Sequence, residues 1–363
     1  MTNSLGKQFC ITSFGESHGE LIGVVIDGCP AGLSLDLADI QAELDRRKPG
    51  TSPVSSPRQE EDKAVILAGV FNGKTTGAPL CLAVWNKDKD SSAYAKTHFI
   101  PRPGHADYTN YVKYGGYADY RGGGRSSGRV TAGLAMAGAV AKKLLTPIGI
   151  EVLAHTTEIG GIKAVACDYD AIRKNAPANA VHCSNPQTAE VMIQAIEKAR
   201  EAGDSLGGII EVIALGVPDG WGEPIFDTLD GELSKAFFAI PAVKGVEFGA
   251  GFSVAHLKGS ENNDPFTVRE GRVLTTSNRA GGILGGISTG MPVVARLAIK
   301  PTPSISQPQR SVNLVDMTTT TIEITGRHDP CIVPRAVVVA EAAAAITLCD
   351  MALRAGKLTG VTK

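Results

Sequence analysis

The chain has 363 residues, enough for one large domain or two ordinary ones. Its formal net charge is −1 and its isoelectric point is about 6.7, which excludes a nucleic-acid coat or a polybasic membrane surface as the theme of the whole protein. Any cationic chemistry must therefore be local.

The two ends of the chain and its cysteines indicate the cellular compartment. The first ten residues lack the basic and apolar regions of a secretory signal, and the apolar stretch 336–349 is interrupted by Glu341 and is too short to cross a bilayer. Seven scattered cysteines without a CxxC pair are typical of a reducing compartment. We expect a cytoplasmic protein with no membrane or nucleic-acid partner and, without clustered Cys and His ligands, no metal site.

Apolar runs and helical periodicity predict the elements in chain order. The predicted strands are Gly23–Asp27, Ala64–Val70, Leu80–Trp85, Gly208–Leu215, Pro292–Ile299 and Thr318–Thr325. The predicted helices are Asp36–Arg46, Arg129–Leu145, Gln187–Ala202, Asp227–Phe238 and Arg335–Leu353. The two types do not alternate regularly and no linker is visible, so we expect one intertwined α+β domain over residues 1–363.

Two of these helices are apolar on every face. Val130–Val140 carries only Thr131 as a polar side chain, and Ala336–Ile346 carries only Glu341. Helices of this kind are buried, so both are predicted to lie in an interior layer.

The segment YRGGGRSSGR, residues 120–129, leads directly into the first of these helices. The N-terminus of a helix presents unpaired N–H groups, glycines let backbone approach a ligand, and Arg125, Ser126, Ser127 and Arg129 add charge and donors. This combination predicts a phosphate site. The alternative is a glycine-rich turn in which Ser127 is a simple N-cap.

The segment FGESHG, residues 14–19, fits two interpretations. It formally matches the Gly-x-Ser-x-Gly elbow of serine hydrolases, but a second strand, not a helix, is predicted after it, so a hydrolase is a weak alternative. His18 is then either a structural histidine or a proton carrier. A near-match to a P-loop at 69–75 has one residue too few between its glycines, and residues 122–127 lack the strand and third glycine of a dinucleotide site.

Further motifs add proton carriers and cations. In RPGHADYTNYVKYGGYADY, residues 102–120, His105 precedes tyrosines at every third position, which form either one aromatic face or a surface for a flat ligand. A second glycine-rich segment lies at 279–290, KPTPS follows at 300–304, and GRHDP at 326–330 contributes His328 and Asp329. Together these residues supply acid–base groups near neutral pH.

These segments resemble the chorismate synthase family. FGESHG, DRRKPGTS, RPGHADYT, YRGGGRSSGR, GGILGGISTG, KPTPS and GRHDPCIVPRAV follow one another in the family's order from residue 14 to 337. The resemblance implies a β-α-β sandwich with a buried helical layer between two antiparallel sheets, assembled as a homotetramer. It also implies a carbon–oxygen lyase that converts 5-enolpyruvylshikimate 3-phosphate to chorismate and phosphate, with reduced FMN but no net redox change.

The resemblance also implies the site residues. His18 would protonate the departing phosphate, His105 would protonate reduced flavin, and Asp329 would help take the substrate's proton. The flavin contacts would be Arg125, Ser126, Ser127, Pro241, Ala242, Gly285, Lys300, Pro301, Thr302, Pro303, Ser304 and Arg327. The substrate anions would be held by Arg46, Arg47, Arg58 and Arg129.

The chain departs from the family pattern at Lys48 and Pro53, where arginines are usual, and at Val338, where proline is common. Proline cannot bind an anion, so we expect Arg58 to substitute for the arginine missing at Pro53. Two other functions stay open: a flavin oxidoreductase and an inactive anion-binding or assembly protein. Whether NADPH or a separate flavin reductase supplies the reducing equivalents is also open.

Overall fold

The computed structural model describes residues 3–48, 50, 61–87, 91–324 and 328–358. Within these ranges the strands, in chain order, are β1 Ser4–Leu5, β2 Cys10–Gly15, β3 Leu21–Asp27, β4 Ala64–Ala68, β5 Val70–Phe71, β6 Lys74–Thr75, β7 Leu80–Trp85, β8 Glu151–Ile159, β9 Ile162–Lys163, β10 Gly208–Leu215, β11 Val243–Phe248, β12 Phe266–Arg269, β13 Arg272–Thr275, β14 Ile283–Leu284, β15 Ile287–Ser288, β16 Val293–Ile299, β17 Gln309–Asn313 and β18 Thr318–Ile322.

The α-helices of the same ranges are α1 Leu37–Arg47, α2 Ser92–Thr97, α3 Asp107–Lys113, α4 Thr131–Leu145, α5 Tyr169–Asn175, α6 Pro186–Glu201, α7 Leu229–Phe238, α8 Gly259–Asn262 and α9 Val333–Arg354. Short 3₁₀ segments lie at Arg121–Ser126, Gly128–Val130, Thr146–Ile148, Ala176–Ala178 and Gly251–His256.

Two five-stranded antiparallel sheets form the frame. The first has the order β1-β2-β3-β7-β4 and the second has the order β11-β16-β10-β8-β9. Buried residues pair across the central strands, for example Val24 with Leu82 in the first sheet and Val212 with Ala295 in the second. Such pairs between neighbouring strands of one sheet stabilise it by burying apolar side chains.

Helices α4 and α9 pack closely against each other, and each also packs on a sheet. Helix α4 contacts β2, β3 and β7 of the first sheet, whereas α9 contacts β8 and β10 of the second. Gly138 of α4 permits the close approach, because a Cβ there would lie 2.4 Å from the Cβ of Ala342. The predicted burial of both helices and the α+β class are confirmed.

Helix α9 is long and apolar enough to cross a membrane by length and composition alone. However, 94% of its apolar stretch is buried inside the structure. Its two carboxylates are also engaged: Glu341 binds Arg46 and Lys142, and Asp350 accepts the backbone N–H groups of residues 7–9. The burial and these contacts describe a core helix.

Two sequence motifs take ordinary local structures. The near-match to a P-loop is the hairpin β5–β6, whose turn is Asn72-Gly73 with positive φ at both residues, as a tight hairpin turn requires. The tyrosines of residues 108–120 do not form the aromatic face of one helix, because helix α3 ends at Lys113; Tyr117 is 94% exposed.

Candidate active site

A cavity of about 920 Å³ collects most of the sequence motifs in one place. Its volume is in the range of small-molecule sites. Segments distant in sequence line it, and they include the residues His18, Arg47, His105, Arg129, Pro241, Lys300 and Asp329. The cavity therefore has histidines, arginines, a lysine and a carboxylate on one surface.

The triple glycine of residues 122–124 makes room for two imidazole rings. All three glycines have positive φ, between 52° and 87°. Residues that carry a side chain disfavour this conformation. A Cβ on Gly122 would lie 2.5 Å from Nε2 of His18, and one on Gly123 would lie 3.2 Å from Nε2 of His105. Both histidines therefore lie against adjacent peptide units of the same turn.

His18 lies in the tight turn between β2 and β3. The chain continues into a strand after this turn, so the helix that a serine-hydrolase elbow requires is missing here. The His18 ring is buried, its Nδ1 lies 2.8 Å from Oγ of Ser91, and its edge contacts the ring of Tyr94. These contacts fix the ring with its Nε2 edge toward Gly122.

His105 is held by Asp107 and Arg102. Nδ1 of His105 lies 2.6 Å from Oδ1 of Asp107, and Arg102 donates from Nε and Nη2 to the two oxygens of the same carboxylate. Burial opposes ionisation of Asp107, but these hydrogen bonds outweigh it and hold its pKa well below the usual range. An ionised carboxylate only accepts, so Nδ1 of His105 carries a proton and Nε2 faces Gly123.

Arg47 and Arg129 share one buried carboxylate. Asp62 lies between them, 3.3 Å from Nη1 of Arg47 and in contact with Nη1 of Arg129. Burial opposes ionisation of Asp62, but the charges of the two arginines lower its pKa. Burial, and then the charge of Arg335, lower the pKa of Arg47 to about 9, which leaves it charged at neutral pH. Two cations thus face one carboxylate.

Arg129 has a donor to spare. Its Nε donates to Oδ1 of Asn86 and its Nη1 to Asp62, but within the described part of the chain Nη2 is buried without a hydrogen-bond partner. A buried guanidinium N–H left unpaired is costly and so points to an absent acceptor. Arg129 also lines the cavity.

His328 and Asp329 come from the C-terminal part of the chain but line the same cavity. Nη1 of Arg335 donates to Oδ2 of Asp329 at 2.5 Å, and Nε of Arg335 donates to the carbonyl oxygen of Arg47. Burial, and then the charge of Arg102, lower the pKa of His328 to about 4. His328 is therefore neutral at neutral pH.

The residues Arg125, Ser126 and Ser127 line the cavity with different partners. Arg125 donates to the carbonyl oxygens of Ser13 and Gly15, so its guanidinium holds the end of β2. Ser126 exchanges hydrogen bonds with Asn110, and Ser127 donates to Oγ of Ser17. Ser127 also accepts from the N–H of Arg129, which makes it an N-cap as well.

The KPTPS segment and Ala242 form the remaining wall. Ala242 has φ of +74°, a strained conformation for alanine. Its carbonyl accepts from the N–H of Lys300, whose Nζ binds the carbonyl oxygen of Gly104. Pro303 and Ser304 line the cavity too, and Oγ1 of Thr302 is buried without a partner among the described residues. Backbone strain and an unpaired hydroxyl are both typical of ligand sites.

Not every predicted site residue reaches this cavity. Arg46 instead forms a two-bond pair with Glu341 and also binds Glu43. Side chains of consecutive helix residues point about 100° apart, and that of Arg46 is directed to Glu341 of α9 while that of Arg47 lines the cavity. Gly285 lies in the β14–β15 turn and does not line the cavity. Pro301 does not line it either, although its neighbours in sequence, Lys300 and Thr302, do. Arg58, Pro53 and Arg327 lie outside the described residues.

Sequence analysis did not single out several residues that line the site or hold its side chains, among them Arg102, Asp107, Asp62, Asn86 and Arg335. Arg102, Asp107 and Arg335 stand inside the quoted motifs RPGHADYT and RHDPCIVPR, so those motifs carried a signal. Asp62 and Asn86 act through contacts with residues far away in the sequence, and no local pattern marks them.

Comparisons with known proteins agree on one family. The family described as "Chorismate synthase" matches residues 9–353. A chorismate synthase of Dehalococcoides mccartyi is 58% identical over 363 residues, covering all of both chains, and one of Methanococcoides burtonii is 52% identical over 356 residues, covering 98% of this chain and 97% of that one.

A solved structure is similar as well. The crystal structure of a chorismate synthase superposes with a TM-score of 0.76 at 32% sequence identity, over 95% of this chain and 91% of the other. The fold and the cavity define an enzyme with a cationic, histidine-containing ligand site. The chain belongs to the chorismate synthase family.

Proposed function

We propose that this chain catalyses the 1,4-anti elimination of phosphate from 5-enolpyruvylshikimate 3-phosphate to give chorismate, and is thus a carbon–oxygen lyase of aromatic amino-acid biosynthesis. The observation that carries the proposal is the buried Nη2 of Arg129, which has no hydrogen-bond partner among the described residues and lies in a cavity that also holds His18 and His105. A phosphorylated dicarboxylate supplies the anionic acceptors that this nitrogen lacks.

The charges around Arg129 favour such a substrate. Arg47, Arg129 and Arg335 lie together, and the carboxylates in contact with them are Asp62 and Asp329. An anion bound here would add favourable charge to a buried cluster of cations. We assign Arg47, Arg129 and Arg335 to the substrate's anionic groups.

The two histidines can hold protons at fixed atoms. His18 is oriented by Ser91 and Tyr94 with its Nε2 edge at Gly122, where it can deliver a proton to the departing phosphate. His105 carries its Nδ1 proton toward Asp107, so its Nε2 is the atom available for proton exchange in the cavity. Asp329, positioned by Arg335, can accept the proton that the substrate loses.

The KPTPS wall fits a flavin phosphate and ring system. Lys300, Thr302 and Ser304 offer a cation and two hydroxyls, Arg125 to Ser127 and Pro241–Ala242 complete the surface, and Oγ1 of Thr302 lacks a partner among the described residues. These residues would hold reduced FMN. When bound, reduced FMN supplies an electron-rich ring system, and the reaction involves no net redox change. Ala242 at positive φ supports a backbone shaped for this ligand.

The architecture, the assembly and the cellular location are part of the same proposal. The packing of α4 on the first sheet, α9 on the second and the two helices on each other supports a β-α-β sandwich. We propose one domain over residues 1–363, a homotetramer and a cytoplasmic location. NADPH or a separate flavin reductase would supply the reducing equivalents.

An anaerobic assay tests the proposal. The chain would be incubated with 5-enolpyruvylshikimate 3-phosphate and photoreduced FMN, and in parallel with oxidised FMN plus NADPH, and chorismate would be separated and quantified. Chorismate with photoreduced FMN supports the proposal, and chorismate in the NADPH arm shows that the chain reduces its own flavin. No chorismate in either arm, from folded protein, would overturn it and favour a binding role.

A further inference from the structure

Asn86 joins the His18 turn to Arg129. It follows β7 directly and is 6% exposed, yet it does not line the cavity. Its Nδ2 donates to the carbonyl oxygens of Glu16 and Gly19 at 3.0 and 2.9 Å, and its Oδ1 accepts from Nε of Arg129 at 2.9 Å. We propose that Asn86 is a positioning residue that sets His18 and Arg129 relative to each other, an inference that rests on the proposed function.

The chemistry of these three bonds requires an amide. Both donors of the Nδ2 group are used, and they close the turn on either side of Ser17 and His18. The backbone N–H of Asn86 donates to the carbonyl oxygen of Glu20, which anchors the same turn to the end of β7. Aspartate has the same shape but no N–H donors, so it cannot close the turn.

The acceptor oxygen of Asn86, Oδ1, helps to position Arg129 at the proposed anion site. Arg129 is fixed by Asn86 at Nε and by Asp62 at Nη1, and these two bonds leave Nη2 as the donor without a partner in the described chain. A guanidinium is planar, so fixing two of its nitrogens fixes the third. Asn86 therefore determines where Arg129 presents its donor while it also places the imidazole of His18.

A double-mutant cycle tests this role. Asn86→Ala should lower kcat at least about 10-fold in the wild-type background, because small displacements of a proton donor are costly. In the His18→Ala background, it should lower kcat less than about 2-fold, since its effect on kcat acts through His18 and its effect through Arg129 appears in anion binding. Fully additive losses in the two backgrounds would overturn the proposal and leave Asn86 a structural residue.

Binding of inorganic phosphate gives a second readout that does not depend on turnover. By calorimetry, Asn86→Ala should weaken phosphate binding at least about 5-fold in the wild-type chain but not in Arg129→Ala. If the wild type forms no chorismate but this coupling is seen, the proposed function fails and the Asn86 inference stands. Equal weakening in both backgrounds would overturn the inference.

Asn179 provides a matched control. Its Nδ2 also donates to two carbonyl oxygens, those of Asn175 and Cys183, and its Oδ1 accepts from two backbone N–H groups, but it lies outside the cavity. Asn179→Ala should lower the thermal midpoint without changing kcat or KM more than about 2-fold. If Asn86→Ala does not fold, Asn86→Asp serves in the same cycle, with the same coupling expected and additivity again contradicting it.

Discussion

Gly122 lies so close to His18 that no side chain fits between them. A Cβ on Gly122 would stand 2.3 Å from Cδ2 and 2.5 Å from Nε2 of the His18 ring, and the residue has φ of +59°. The glycine is thus required both by its backbone conformation and by the imidazole beside it.

We expect Gly122→Ala to reduce turnover by about 100-fold, because the methyl group displaces His18 in addition to straining the turn. Gly149→Ala is the matched control: Gly149 has φ of +79° and open space around its Cβ position. It should lose about 1 kcal/mol of stability through backbone strain and keep its turnover. Steady-state kinetics and urea unfolding of both variants decide the matter, and normal turnover in Gly122→Ala would contradict the arrangement.

The reason for the triple glycine could not have been predicted from the sequence. The sequence indicated backbone approaching an anion, whereas the structure shows Gly122 and Gly123 accommodating His18 and His105. The two histidines come from segments 87 residues apart, and only the tertiary fold brings them together. What the sequence did predict was that flexible backbone is needed there.

Elements with a strong periodic pattern were predicted well, and those without one were not. Leu80–Trp85 and Gly208–Leu215 have the predicted bounds. Strands β8 and β11 were missed, since β8 carries His155 and two threonines in EVLAHTTEI and β11 has a glycine and two charged residues in VKGVEF. Both are stabilised by long-range pairing in the second sheet, which overrides weak local preference.

Arg129→Lys should raise KM for the phosphorylated substrate about 10-fold or more. Lysine keeps the charge but cannot satisfy Asn86 and Asp62 and still offer the donor corresponding to Nη2. Arg121→Lys is the control, because Arg121 belongs to the same motif but pairs with Asp119 at the surface. If Arg129→Lys has an unchanged KM, Nη2 of Arg129 does not bind substrate.

His328 should make the free protein less stable in mild acid. Its pKa is about 4 in the folded chain, against 6.5 without burial. Between these values the unfolded chain binds the proton and the folded chain does not, so stability is present above pH 6.5 and is lost as the pH falls toward 4. Complete burial would make this loss about 3 kcal/mol. Because His328 is partly exposed, we expect roughly 1–2 kcal/mol.

The measurement is urea unfolding of the wild type and of His328→Gln at pH 7 and pH 4.5. The loss of stability between the two pH values should be smaller in His328→Gln by the amount given above. Identical losses in the two proteins would show that His328 titrates alike in the folded and unfolded chains.

Asp329→Asn should lower turnover about 100-fold or more while the protein stays folded and binds flavin. A carboxylate can take up a proton and an amide cannot, and the near-identical shape preserves the contact with Arg335. Asp264→Asn is the control, since Asp264 also accepts several hydrogen bonds but lies outside the cavity. Single-turnover formation of chorismate with pre-reduced FMN, beside a flavin titration, separates the effects. Normal turnover would assign the proton to another residue.

The number of product molecules formed per reduced flavin distinguishes a lyase from an oxidoreductase. Under anaerobic conditions, limiting photoreduced FMN would be mixed with the chain and an excess of 5-enolpyruvylshikimate 3-phosphate, with chorismate, phosphate and the flavin spectrum recorded together. A lyase forms many molecules of chorismate and phosphate, in equal amounts, for each flavin, with the flavin still reduced at the end, and this is the result we expect. One product molecule per flavin, with the flavin oxidised in step, would contradict the lyase and identify an oxidoreductase.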